Sequence, residues 1–244
     1  MNTLMTHIVA GYPSMQESEQ IALTMLESGV KYLEIQIPFS DPIADGATIM
    51  QANQDSLQNG TTPEDCFSLM NRLSMKTDTP LLFMTYFNIV HHYGVEEFCK
   101  RAQEVGCWGL IVPDIPMDEE EYDHYLELCK KYKLNAIQVI SPITPEHRLK
   151  KIGEVASGFV YCVSRTGTTG ARSDFNVSQL EYLENVRKHV STPLATAFGL
   201  SNRKQIDQAL KKADIAVVGS KIIKVYDEDN DMQNLSSFLS DLIQ

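Results

Sequence analysis

The chain has 244 residues, 43% of them hydrophobic, which is enough to bury a substantial core. Its formal net charge is −11, and a surface that acidic repels phosphate backbones and anionic membranes. A small anionic substrate stays possible, because local backbone amides can overcome a weak global field.

In chain order, short apolar runs alternate with longer amphipathic segments. "THIVA" (6–10) and "YLEIQI" (32–37) come first, then "PLLFMTY" (80–86) and "WGLIVP" (108–113). "NAIQVI" (135–140), "GFVYCVS" (158–164), "PLATAF" (193–198) and "IAVVGS" (215–220) complete the set. Between them the spacing predicts helices over Glu19–Ser28, with Gly29 as a stop, over Val95–Val105, ended by Gly106, and over Glu119–Tyr132. Strands separated by helices must run parallel, since each crossover needs a helix. Eight such units, at a spacing of roughly 25 to 30 residues, point to a closed (β/α)8 barrel. The runner-up is an open doubly wound sheet, which usually stops at five or six strands. Nothing marks a linker, so residues 1–244 are read as one domain. The acidic run at 227–231 reads as a solvated loop before the last helix.

Five cysteines occur (Cys66, Cys99, Cys107, Cys129 and Cys162), an odd number with no C-x-x-C pair. They read as buried free thiols of a reducing cytosol. The N-terminus has no basic segment followed by an apolar run, so no signal peptide is expected. No apolar stretch reaches the roughly 18 residues of a membrane span.

Two connections are long: Pro38 to about Thr61, and Ser164 to about Asn176. In a barrel both leave the C-terminal ends of strands, the face that carries catalysis, and long loops in compact domains are usually functional. In "KYLEIQIP", Leu33, Ile35 and Ile37 share one face, and Tyr32, Glu34 and Gln36 the other. Helices cover the outside of a barrel, so the apolar face points out and Glu34 points in, near the mouth. A carboxyl group there is placed to move protons at neutral pH. Asp45 follows in a loop stiffened by Pro38 and Pro42, and two carboxyls in unlike surroundings can divide acid and base work. The plainer reading is an N-cap for Asp45 and an ion-paired Glu34.

Near the end of the chain, "SRTGTTGARSDF" (164–175), "AFGLSN" (197–202) and "VVGSKI" (217–222) are glycine-bearing junctions after strands. Gly170, Gly199 and Gly219 let backbone approach a ligand, and Ser220 adds a hydroxyl at a helix start. Barrels often bind phosphate with the loops after strands seven and eight. His91 and His92 are read as solvated in a loop, and His124, His147 and His189 as surface residues of helices. Trp108 is read as packing, and Arg165 and Arg172 as possible attractors of phosphate.

"LEIQIPFSDPIADG" (33–46), "PDIP" (113–116), "SRTGTTGA" (164–171), "AFG" (197–199) and "VVGSKI" (217–222) together resemble the signature segments of the tryptophan synthase alpha subunit family, in order and spacing from about Thr6 to Val225. The resemblance implies a (β/α)8 barrel that cleaves indole-3-glycerol phosphate to indole and glyceraldehyde 3-phosphate. It implies no metal or cofactor in this chain, and a pyridoxal-phosphate beta subunit as partner, usually in an αββα complex in the cytoplasm. By motif, Glu34 and Asp45 match the family's catalytic acids. Tyr161, Phe198 and Thr169 match substrate-pocket positions, and Gly170, Gly199, Gly219 and Ser220 match the phosphate site.

The chain departs from the family pattern at Gln36, where glycine is usual, so an amide is expected to meet the catalytic glutamate. Ala47 and Met50 stand where proline and glutamine are common, on the segment that meets the partner. His7 and Val9 replace a usual aromatic and threonine. The sequence also begins late against the pattern, so the helix that plugs the barrel floor is expected to be absent. Two other functions fit the same barrel: a free-standing lyase, and an inactive module that only binds the beta subunit.

Overall fold

The computed structural model describes residues 3–115, 123–163 and 177–243. Eight parallel strands close into a barrel in sequence order: β1 (Leu4–Val9), β2 (Tyr32–Gln36), β3 (Leu81–Met84), β4 (Gly109–Ile111), β5 (Asn135–Ile140), β6 (Val160–Val163), β7 (Leu194–Ala197) and β8 (Ile215–Val218). Closure by the pairing of β1 with β8, in which Met5 lies opposite Val217, rules out the open sheet. All eight expected strands are present, each within a few residues of its apolar run.

The helices are α1 (Met15–Glu27), α2 (Ala47–Gln58), α3 (Pro63–Ser74), α4 (Phe87–Tyr93), α5 (Val95–Glu104), α6 (Tyr125–Lys131), α7 (Glu146–Val155), α8 (Val177–Arg187), α9 (Arg203–Ala209), α10 (Ser220–Asp229) and α11 (Met232–Ile243). Helix α1 starts one turn before its expected position. Ser14 caps it, accepting from the Glu17 N–H at 3.2 Å, and its buried residues Ser18, Ile21, Ala22 and Met25 fall on one face. Helix α3 opens with Pro63 after a Thr62–Asp65 capping box.

Three expectations need correction. The connection from Pro38 to Thr61 is not one long loop, because α2 occupies half of it and buries a stripe of Ile49, Ala52, Asn53 and Ser56. His91 and His92 lie in the last turn of α4, not in a loop. The acidic run is not all loop either: Asp227, Glu228 and Asp229 finish α10, and the chain turns only at Asn230, in the left-handed region with φ 54°.

Strand parity sorts the core into two shells. Leu33, Ile35, Ile37, Leu81, Phe83 and Leu110 face outward into the helix layer. Met5, Leu82, Ile111, Ile137, Phe159, Ala195, Ile215 and Val217 fill the barrel interior. Fully burying one such large side chain is worth about 1.5–3 kcal/mol. At the N-terminal end of the barrel Trp108 stacks on Phe159 with ring centres 6.1 Å apart, and Tyr32 meets both, at 5.6 Å and 5.5 Å. Gly158, at φ +69°, makes room for them, since a Cβ there would sit 2.7 Å from the Trp108 ring. Trp108 is thus a packing residue, as expected. All five cysteines are buried free thiols, and burial pushes Cys107 and Cys162 up to about 12, far from thiolate reactivity.

Candidate active site

The barrel's inner shell turns polar towards the C-terminal ends of the strands. Parallel pairing sets His7 of β1 opposite Glu34 of β2, and both side chains enter the barrel. Glu34 is 3% exposed. One carboxylate oxygen, Oε1, lies 3.1 Å from His7 Nδ1; the other, Oε2, accepts from the Tyr161 hydroxyl of β6 at 3.3 Å. Glu34 therefore points inward, as strand parity required, and is paired on both oxygens.

Asp45 comes to the same mouth by another route. The chain leaves β2 through Pro38 and Pro42 and turns back, with the Asp45 N–H donating to the Pro42 carbonyl at 3.0 Å, before α2 begins. Asp45 is not an N-cap: that position belongs to Gly46. Asp45 is 6% exposed, and its Oδ2 accepts from Gln36 Nε2 at 2.7 Å and from the Tyr86 hydroxyl at 3.0 Å. The Ala44 N–H in turn donates to that hydroxyl, and Phe39 stacks on the Tyr86 ring at 5.1 Å. Burial raises the Asp45 carboxyl above its ordinary value, although Gln36, His7 and Tyr86 each pull it back.

Gln36 was expected to bear on the glutamate, yet its hydrogen bond goes to the aspartate. The cause lies in α2. Asn53 Nδ2 donates to the Ile49 carbonyl at 2.8 Å, which fixes the orientation of its amide. Its Oδ1 then accepts from the Phe39 N–H at 2.9 Å and faces Gln36 Nε2 at 3.4 Å. With two acceptors on one side, the Gln36 amide must turn its nitrogen towards Asp45 and its oxygen away. Sequence reasoning missed Tyr86 and Asn53. Their signals were a polar-tipped aromatic just past the C-terminal end of a strand, and an amide on the apolar stripe of a helix.

Both acids line one cavity of about 540 Å³, a volume suited to a small organic molecule. Met84, Ile111, Val139 and Val217 give it apolar walls, and Asp114 lies on its rim, where it accepts from the Phe87 N–H at 2.8 Å and anchors the start of α4. Gly199, Gly219 and Ser220, at the ends of the last two strands, line the same cavity. Gly199 has φ +70° with open space where a side chain would project. Gly219 precedes the ten-residue α10, and it and Ser220, the first residue of that helix, both line the cavity. A Cβ on Gly219 would meet the His7 side chain at 3.4 Å.

The structure thus brings together Glu34, Asp45, Tyr161, Gly199, Gly219 and Ser220. Phe198 stands apart: its neighbours Ala197 and Gly199 line the cavity, but its own ring packs on Tyr182 of α8 at 6.0 Å. Thr169 and Gly170, with Arg165 and Arg172, lie outside the described residues.

Two buried acids on an apolar cavity that glycine-bearing strand ends also line suit a small aromatic substrate. The tryptophan synthase alpha chain family profile matches residues 1–241. The chain belongs to that family. The alpha chain of Syntrophotalea carbinolica is 45% identical over 225 residues, covering 92% of this chain and 88% of its own length. That of Methanocaldococcus jannaschii is 42% identical over 224 residues, 91% of this chain and 79% of its own. Among solved structures, Mycobacterium tuberculosis tryptophan synthase superposes with a TM-score of 0.92 at 30% identity, covering 99% of this chain and 91% of that one. A mutant alpha-subunit from Pyrococcus furiosus gives 0.90 at 28% identity, with 99% and 97% covered. Membership of the family makes the chain a carbon–carbon lyase of tryptophan biosynthesis, acting on indole-3-glycerol phosphate.

Proposed function

We propose that Glu34 and Asp45 divide the cleavage of indole-3-glycerol phosphate between them, with Gly199, Gly219 and Ser220 holding the phosphate. The reaction is a retro-aldol. Indole C3 gains a proton, the glycerol hydroxyl on C3′ loses one, and the C3–C3′ bond breaks with its electron pair returning to the ring. Glu34 serves both proton movements. Asp45 accepts from the indole N–H and stabilises the positive charge that develops on the ring. The observation that carries this reading is the separate support of the two carboxylates on one apolar cavity: Tyr161 and His7 on Glu34, Gln36 and Tyr86 on Asp45. Asp45 spends Oδ2 on its two protein donors, and among the described residues nothing donates to Oδ1. That leaves Oδ1 to accept from the indole N–H.

The phosphate end relies on main-chain donors and Ser220, each charge-assisted hydrogen bond contributing about 1.5–3 kcal/mol. Tyr161 positions Glu34, and Phe198 backs the pocket from behind Ala197 and Gly199. Proton transfer between side chains and substrate needs no cofactor in this chain, and the pyridoxal phosphate of the synthase belongs to the beta subunit, the partner in the αββα complex. Ile43 and Met50, exposed large apolar residues just before and on α2, suit the partner-facing surface. Five buried free thiols suit the cytosol. The test is indole release from indole-3-glycerol phosphate by the purified chain, with and without the beta subunit. Release that rises with the partner supports the reading, and no release in either case overturns it.

A further inference from the structure

The site holds a titratable group that the cleavage just described does not use. His7 is 4% exposed and lies directly against Glu34. Its second ring nitrogen, Nε2, and the carbonyl oxygen of Gln36 are both buried, and neither makes a hydrogen bond among the described residues. The Asn53–Asp45 arrangement holds the Gln36 nitrogen, so its oxygen is turned from both acceptors and needs a donor. A neutral imidazole has one N–H, and a carboxylate at Nδ1 claims it. Only the imidazolium has a second N–H for the amide oxygen.

We propose that His7 is a positioning residue for the cleavage: as an imidazolium it gives Nδ1–H to Glu34, turns Nε2–H to the Gln36 amide oxygen, and so ties both carboxylates into one unit that carries a mobile proton. The inference rests on the assignment of Glu34 and Asp45 given above. In the cycle the proton passes from His7 Nδ1 to the Glu34 carboxylate and on to indole C3, leaving neutral His7 and ionised Glu34. The C3′ hydroxyl proton then returns to Glu34 and to His7 as the C3–C3′ electron pair closes back into the ring and the oxygen forms the aldehyde carbonyl. The unit ends with the proton it began with.

The surroundings favour the cation. Burial alone lowers the proton affinity of the ring. The charge and hydrogen bond of Glu34, then the charge of Asp45 and the Gln36 amide, more than offset this, so His7 ends above its ordinary value. Among the described residues, the charged groups facing it are Glu34 from β2 and Asp45 from the segment before α2, with the Tyr161 phenol of β6 beyond Glu34. The β8–α10 junction and α2 offer uncharged Gly219, Ser220 and Ile49.

Two measurements on the full chain test this. The first is an NMR titration of the His7 imidazole in wild type and Glu34→Gln. Its pKa is expected to fall in the variant to below the ordinary ~6.5. The second is the pH dependence of kcat for wild type, His7→Asn and His7→Phe, each checked for folding by circular dichroism. Asparagine keeps a donor for Glu34 but carries no extra proton. kcat of His7→Asn is expected to drop about tenfold or more and to lose the alkaline limb that wild type shows as His7 deprotonates. A merely structural histidine predicts rescue by asparagine with the limb unchanged, and that result overturns the inference. So does a His7 that titrates alike in wild type and Glu34→Gln. An inactive wild type whose His7 still responds to Glu34→Gln sinks the lyase assignment instead, leaving the pair intact.

Discussion

The two ends of the cavity are built on opposite plans. At the acid end each carboxyl group is held by two other side chains: His7 and Tyr161 hold Glu34, Gln36 and Tyr86 hold Asp45, and Asn53 orients Gln36. The end proposed for the phosphate offers, among the described residues, Gly199, Gly219, Ser220 and the first turn of α10. Moving protons requires donors and acceptors placed to a fraction of an ångström, and a buried polar network supplies that rigidity. Holding a phosphate needs convergent N–H groups and room, which bare backbone provides. A substitution at the first end should therefore change turnover, and one at the second should change affinity.

Glu34→Gln gives the largest effect. It keeps the shape of the group and one acceptor for Tyr161 but removes the proton carrier. Turnover should fall at least about 10²-fold, the usual scale for losing a general acid–base, with substrate affinity nearly unchanged. Steady-state kcat and KM for indole release check it. Lost affinity with turnover intact would break the contrast at its strong end.

Gly219→Val is the matching probe. The added carbons project towards His7 and Ile49 and narrow the end of the cavity proposed for the phosphate, and circular dichroism checks that the variant folds. Losing one or two charge-assisted hydrogen bonds should raise KM by roughly 10- to 100-fold. A dephosphorylated substrate should bind equally poorly to wild type and variant. If it bound wild type as well as the phosphorylated one does, the cradle assignment would be wrong.

How far each end could be read from sequence follows from the same contrast. The barrel was legible because eight apolar runs alternate with helical spacing, and Glu34 because strand parity put Leu33, Ile35 and Ile37 on the opposite face. The glycines were legible because they stand at strand ends. What could not be read was which side chain touches which. Gln36 and Asp45 meet only because Pro38 and Pro42 fold the chain back over β2, and His7 meets Glu34 through the β1–β2 register. Such contacts depend on cross-strand alignment and loop path, which no local periodicity encodes. Asn53 illustrates the point. It lies on a stripe that reads as ordinary core, and its function appears only when the Phe39 N–H and Gln36 are seen beside it.

Tyr86→Phe asks whether the acid end is held by the network or by its members separately. The change removes one donor to Asp45 and the acceptor of the Ala44 N–H, while the ring stack on Phe39 survives. Each bond is worth about 1 kcal/mol net, so the expected outcome is a roughly fivefold to tenfold loss of kcat with KM little changed. A tenfold rise in KM alone would mean that Tyr86 shapes the pocket rather than Asp45.

Asp45→Asn has the smallest expected effect on stability and reads stability and rate together. Burial raises the Asp45 carboxyl, so the folded state holds this proton more tightly than the unfolded chain does. The stability linked to it is therefore full below the ordinary aspartate value of ~3.9 and is lost as pH rises through the raised value. Above that point the fold carries a buried charge that asparagine does not. The amide still accepts from Gln36 and Tyr86 through its oxygen, so the network keeps its geometry. Thermal denaturation at pH 8 should then show a higher Tm for Asp45→Asn, by ~2–4 °C per kcal/mol for a chain of this size, with the gap closing as the pH falls. The same variant should lose indole release, because a neutral amide cannot offset charge on the indole ring. Stability gained as activity disappears would mark Asp45 as a group kept charged against the preference of the fold. An unchanged or lower Tm at pH 8 would mean that Gln36 and Tyr86 fully compensate the buried carboxylate, and that the acid end is stable because of its charges rather than in spite of them.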